Sequence, residues 1–180
     1  MLRVFPVAGP THVPNSFGEP RGERRHDGND LFATENTPLV AVDDGEVRFG
    51  RDPLGGNIAN LYTADNTRYY YAHLSGFEGV PRIVRVGEVI GYLGRTGNAA
   101  ATPPHLHFSV HPNRGAAVDP FPMLMAAPRV DLQSPAAPRS PLRTVAILAI
   151  AGLGTWAILN PAAADRAVRR LRLGLANAVR

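Results

Sequence analysis

The 180-residue sequence predicts a mainly β protein: a small antiparallel β-sandwich or barrel-like domain over residues 1–125, followed by a Pro-rich linker and C-terminal helices. Three observations carry this. Residues 5–124 break into short apolar or alternating runs divided by Gly, Asn and Asp turns, with no sustained helical period. Residues 126–143 contain Pro128, Pro135, Pro138 and Pro141 and few large apolar side chains, the composition of an extended linker. From Thr144 to Leu159 the chain is then uncharged and mostly aliphatic.

Taken in order, Thr37-Pro-Leu-Val-Ala-Val42 is a strand-like run stopped by Asp43-Asp-Gly45, and Glu46-Val-Arg-Phe49 follows at once, which predicts a hairpin. Asn57–Tyr62 and Arg68–Leu74 flank Ala64-Asp-Asn-Thr67 and predict a second. Ile83–Val86, Val89–Leu93 and His105–Val110 are further strands between Gly-rich turns. Beyond the linker, residues 144–164 are expected to form a transmembrane helix. As a helix, sixteen residues span roughly 24 Å and twenty-one roughly 32 Å, against a hydrocarbon core of about 30 Å. Asn160-Pro161 suits the start of a new helix, in which Val168, Leu171, Leu175 and Val179 form an apolar stripe. Arg166, Arg169 and Arg170 lie off that stripe, so residues 165–180 read as a basic amphipathic tail for an anionic membrane surface.

Composition excludes several classes of function. Without cysteine there is no disulfide, thiolate metal site or cysteine nucleophile, and any metal must be held by His, Asp and Glu. The net charge of +4 divides unevenly: residues 1–125 hold 11 Arg against 13 Asp and Glu, and residues 126–180 hold 8 Arg against 2 Asp. The positive charge belongs to the tail, so no nucleic-acid partner is expected for the folded body. Gly94-Arg-Thr-Gly97 lacks the Gly-Lys-Ser/Thr ending of a phosphate loop and reads as a turn.

Four of the six histidines stand in informative contexts. His26-Asp-Gly-Asn-Asp30 sets an imidazole and a carboxylate four apart around a Gly. His105-Leu-His107 sits in a strand-like run, where residues i and i+2 share a face, so both rings point one way. His73 closes the run Tyr69-Tyr-Tyr-Ala-His, and alternation places it on a face with Tyr69 and Tyr71. His12 and His111 belong to no such pattern and read as loop residues. Each motif alone is weak; the three in this order within a β-rich region are specific.

On those residues the region from about Phe5 to Leu124 resembles the LytM/lysostaphin-type zinc metallopeptidases, which cut peptide bonds in bacterial peptidoglycan. The resemblance takes in Pro6-Val-Ala-Gly9, Ser16-Phe-Gly18, His26-x-Gly28-x-Asp30, Ala41-Val-Asp-Asp-Gly-Glu-Val47 and Gly56-Asn57. It continues through Tyr71-Ala-His-Leu74, Val86-Gly-Glu-Val-Ile-Gly91, Gly94-Arg-Thr-Gly97, Pro104-His-Leu-His-Phe108 and Val118-Asp-Pro120. It implies that His26, Asp30 and His107 hold one zinc ion. His105 and His73 are then the catalytic pair, His105 as general base and His73 stabilising charge on the carbonyl oxygen. Tyr69 and Tyr71 are expected to line the substrate groove. Two His and one carboxylate leave a position open for water, as in catalytic zinc sites. Two departures stand out: Pro103 where Gly is frequent, and Ser109 where an acidic residue is common.

The implied function is a zinc metalloendopeptidase of the cell wall; the alternative is a non-catalytic module of the same fold that binds wall or regulates another hydrolase. The expected location is the cell envelope, with the domain outside and the membrane as partner of the C-terminal helix. Arg166, Arg169, Arg170, Arg172 and Arg180 place the tail in the cytoplasm by the positive-inside rule. Met1-Leu-Arg-Val-Phe-Pro6 does not have the pattern of a signal peptide, so the export route is left open.

Overall fold

A computed structural model of the protein describes residues 1–130 and 132, and antiparallel pairing organises them. In chain order the strands are β1 (Pro20–Arg21), β2 (Arg24–Arg25), β3 (Asn29–Phe32), β4 (Pro38–Val40), β5 (Gly45–Asp52) and β6 (Gly56–Tyr62). Then come β7 (Arg68–Leu74), β8 (Gly76–Phe77), β9 (Arg82–Val84), β10 (Val89–Tyr92), β11 (His105–His111) and one short helix, α1 (Phe121–Ala126). Six strands form the main sheet in the order β3-β11-β7-β6-β5-β9; β4-β10-β8 form a smaller one and β1-β2 a separate ribbon.

Period-2 alternation gives the main sheet two different faces. Leu31, Val47, Ala59, Leu61, Tyr69, Tyr71, Leu106, Phe108 and Val110 are buried in one core with Phe5, Val7, Leu39, Ile90 and Leu93. The intervening residues, Asp30, Arg68, Tyr70, Ala72, His105, His107, Ser109 and His111, line a groove of about 410 Å³ on the other face. The core face is closed and apolar, so function falls to the open one.

The expected hairpin at Asp43-Asp-Gly45 does not form. β4 pairs with β10, while β5 pairs with β6 and β9, and the turn carries the chain from the small sheet to the large one. Leu39, Val40, Ala41 and Val42 are all fully buried, so this segment is enclosed on both faces and does not alternate as a half-exposed hairpin strand would. The corner is tied to distant chain: Arg3 donates to Asp43 and Asp44, each at 2.9 Å, and Asp44 Oδ1 accepts the Val86 N–H at 2.8 Å. The second hairpin forms as expected, β6 pairing with β7 from Tyr62 opposite Arg68, with Asn66 at φ 65° in the turn.

After α1 the chain still touches the domain. The Pro128 carbonyl accepts the Phe5 N–H at 2.8 Å, and the Arg129 guanidinium lies 3.6 Å above the Phe5 ring centre. Apart from residues 130 and 132, the rest of the expected linker, the expected membrane span over 144–164 and the tail over 165–180 lie outside the described residues. Among the described residues no helix is long and apolar enough to cross a membrane.

Candidate metal centre

Strand register builds the site. In β11, His107 stands opposite Asp30 of β3 on one side and Ala72 of β7 on the other, and His105 stands opposite Phe32. Directly opposed residues share a face, so His105, His107 and Asp30 rise together from the sheet. His26 enters from the segment before β3, four residues ahead of Asp30. Gly28 between them is required by contact: a Cβ there would meet Cε1 and Nε2 of His107, each at 2.8 Å.

The result is a tight cluster. His26 Nε2 and His107 Nδ1 stand 2.8 Å apart, and Asp30 Oδ1 lies 3.1 Å from the first and 3.3 Å from the second. Donors bound tetrahedrally at about 2.0–2.1 Å from one ion sit roughly 3.3 Å apart, so two imidazoles and a carboxylate so arranged fit a single zinc-sized cation. His26, Asp30 and His107 are the group that could hold a metal among the described residues. His26 Nδ1 donates to the Ser16 carbonyl at 2.8 Å, which leaves Nε2 with its lone pair facing the cluster.

Electrostatics fit an ionised carboxylate between imidazoles. Burial alone would push the Asp30 carboxyl up, but hydrogen bonds from His107 and His26 outweigh it and hold the group well below the usual carboxylate range. Arg21 of β1 donates to the outer oxygen Oδ2 at 2.7 Å, leaving Oδ1 turned toward the imidazoles. Burial likewise lowers the His107 imidazolium, yet contacts with Asp27 and Asp30 win and raise it. Asp27, held by His107, is lowered to about 2.

His105 and His73 stand beside this cluster. Their ring centres are 4.9 Å apart, and His105 Nε2 is 3.9 Å from Asp30 Oδ1. His105 Nδ1 donates to the Pro103 carbonyl at 2.8 Å and His73 Nδ1 to the Thr96 carbonyl at 2.9 Å, so both rings present an unprotonated Nε2. Burial, with the nearby His105 and His107 adding to it, lowers the His73 pKa to about 4 despite the Thr96 hydrogen bond.

That shift predicts a pH dependence of stability. The unfolded ring takes its proton near pH 6.5 and the folded ring only near pH 4, so the unfolded state binds more protons between these values. The contribution of the buried neutral ring is complete above about pH 6.5 and is lost as pH falls toward 4. In the metal-free protein, the urea midpoint is expected to drop over this window more steeply for wild type than for His73→Gln. Parallel curves would contradict it.

Two expectations for the groove need correcting. Tyr69 and Tyr71 do not line it; both are buried in the core, Tyr71 completely. Alternation places His73 with them only if β7 is regular, and it is not. Ala59 pairs with Tyr71 but Asn57 with Leu74, so Ala72 and His73 together oppose Ile58 in a bulge, with His73 at φ 67°. The bulge swings His73 onto the face of Tyr70, whose ring centre is 6.0 Å from that of His107 and which lines the groove instead. Tyr71 holds the two layers together, its hydroxyl donating to the Val40 carbonyl at 3.1 Å and accepting the Val42 N–H at 3.2 Å. Tyr71→Phe strands these partners and is expected to cost about 1–3 kcal/mol in urea unfolding, with metal binding unchanged.

His111 is likewise not a loop residue. It ends β11 on the groove face, buried, with Nε2 3.0 Å from Ser109 Oγ and Nδ1 donating to the Gly115 carbonyl at 3.0 Å. Continuing the alternation 105, 107, 109, 111 would have found it. His12 lies in the loop ahead of β1, its backbone bridged to Phe32.

Residues 24–120 match the sequence profile of Peptidase family M23. The L-Ala–D-Glu endopeptidase of Bacillus subtilis is 34% identical over 144 residues, 72% of this chain and 44% of that protein. The crystallised catalytic domain of the antimicrobial peptidase lysostaphin from Staphylococcus simulans is 33% identical, with a TM-score of 0.58 over 64% of this chain and 93% of that one. A zinc-containing peptidase from Vibrio cholerae is 25% identical, with a TM-score of 0.55 over 65% of this chain and 38% of that one. The chain spans less than half the length of the curated relatives it first matches, 44% of one and 24% of the next.

Proposed function

The chain belongs to peptidase family M23, and from that premise we propose that it is a zinc-dependent endopeptidase hydrolysing peptide bonds in bacterial cell-wall peptidoglycan. The observation that carries the reading is the convergence of His26, Asp30 and His107 on one point, with His105 and His73 beside it at the floor of an open groove. A catalytic module needs these positions filled; the alternative of a non-catalytic wall-binding module does not.

His26 Nε2, His107 Nδ1 and Asp30 Oδ1 would hold one zinc ion. Bound there with a position open to solvent, zinc supplies an activated water and polarises the scissile carbonyl. His105 accepts the water's proton at Nε2, which its bond to the Pro103 carbonyl keeps free at rest. The same bond stabilises the ring once charged. His73 is assigned to the charge developing on the carbonyl oxygen. With Nδ1 committed to Thr96, it can donate from Nε2 only as the doubly protonated ring, a form that burial opposes until negative charge appears beside it. Arg21 keeps one Asp30 oxygen turned inward.

The test is digestion of purified sacculi by the purified protein. New peptide termini, found by mass spectrometry, should appear, vanish with a chelator and return with zinc. A protein that retains no zinc and releases no peptide contradicts the proposal.

We assign the protein to the cell envelope, with residues 144–164 as membrane anchor and the tail inside. Protease added to spheroplasts should then remove the β-domain; protection of the domain contradicts this placement.

A further inference from the structure

Each of the four imidazoles at the site turns one ring nitrogen inward and has the other held from behind. For three of them the holder is a backbone carbonyl: Ser16 for His26, Thr96 for His73 and Pro103 for His105, at 2.8 to 2.9 Å. His107 is reversed. Its Nδ1 faces the cluster, and behind it Nε2 meets a side-chain carboxylate, Asp27 Oδ1, at 3.4 Å. Among the described residues Asp27 is the one carboxylate that meets that nitrogen, and its carboxylate has no other ion-pair partner there. The local sequence arranges it: Gly28 lets the backbone lie against the His107 ring, and the preceding residue brings its carboxylate round to the far edge.

We propose that Asp27 is the positioning residue of His107. Its carboxylate holds the proton on Nε2, so that Nδ1 always presents a lone pair to the metal, and its charge strengthens the ring as a donor. Side-chain control is needed here because, unlike the other three rings, His107 has among the described residues no backbone carbonyl accepting from its outward nitrogen. The exposed Asp27 side chain, at 67%, otherwise has no packing role. The inference rests on His107 being a metal ligand.

The test compares zinc affinity, by chelator competition, in wild type, Asp27→Ala and Asp27→Glu. Outer carboxylates of this kind are worth about 10- to 100-fold in metal affinity. Asp27→Ala should lose that factor while keeping its circular dichroism and melting temperature, and Asp27→Glu should recover most of it. A structural role would not move the second readout, long-range ¹H–¹⁵N spectra of the zinc-loaded rings. The His107 Nε2–H signal should be slow to exchange in wild type and lost in Asp27→Ala, while the Nδ1–H signals of His26, His73 and His105 persist. Equal zinc affinity for wild type and Asp27→Ala, with the His107 signal unchanged, overturns the role of Asp27 alone. A wild type that binds no zinc overturns the ligand assignment and this inference together.

Discussion

Replacing His107 with Ala is expected to abolish zinc binding outright. The site has three protein donors within 2.8 to 3.3 Å of one another, and His107 is the one on β11, paired on both sides by β3 and β7 and touching both other donors. Its removal leaves one imidazole and one carboxylate, and it also leaves the ionised Asp30 and Asp27 without the ring that lies between them. Two donors do not make a closed binding set for zinc under dialysis. The fold should survive, because the flanking Leu106 and Phe108 point into the core and carry the packing of β11. Zinc analysis should fall from about one ion per chain to background with circular dichroism unchanged, and wall digestion should disappear with it. Retention of stoichiometric zinc would remove His107 from the ligand set.

His105→Ala should separate chemistry from binding. His105 shares the groove face with His107, yet its Nε2 is 3.9 Å from Asp30 Oδ1, outside the tight cluster, and its other nitrogen is fixed by the Pro103 carbonyl. A general base contributes roughly 10²- to 10⁴-fold to rate, so kcat/KM for peptide release should fall by that factor with zinc content intact. The ring also packs against Phe32, tilted 39° with centres 5.2 Å apart, so a modest loss of stability should accompany the loss of rate. Simultaneous loss of zinc would make His105 a ligand and leave the base to be found elsewhere.

Much of this arrangement was legible in the sequence where local rules decide it. His105 and His107 share a face because strands alternate, and the resemblance joined them to His26 and Asp30; the register of β11 against β3 brings these donors together. What was hidden depended on departures from regularity. A bulge at Ala72-His73 exchanges the faces of β7, so Tyr70 lines the groove where Tyr69 and Tyr71 were expected. The Asp43-Asp-Gly45 turn looks like a hairpin locally, yet Arg3 and Val86, some 40 residues away in sequence, fix its exit toward another sheet. Asp27 carried no signal of its own, because an Asp beside a His is common and only its distance to His107 gives it meaning.

The most direct test of the central claim is anomalous diffraction at the zinc edge from crystals of the zinc-loaded protein. One peak is predicted, about 2.0–2.2 Å from His26 Nε2, Asp30 Oδ1 and His107 Nδ1 together, with His105 and His73 outside bonding distance. A peak on any other set of side chains, or none at full zinc occupancy in solution, would contradict it.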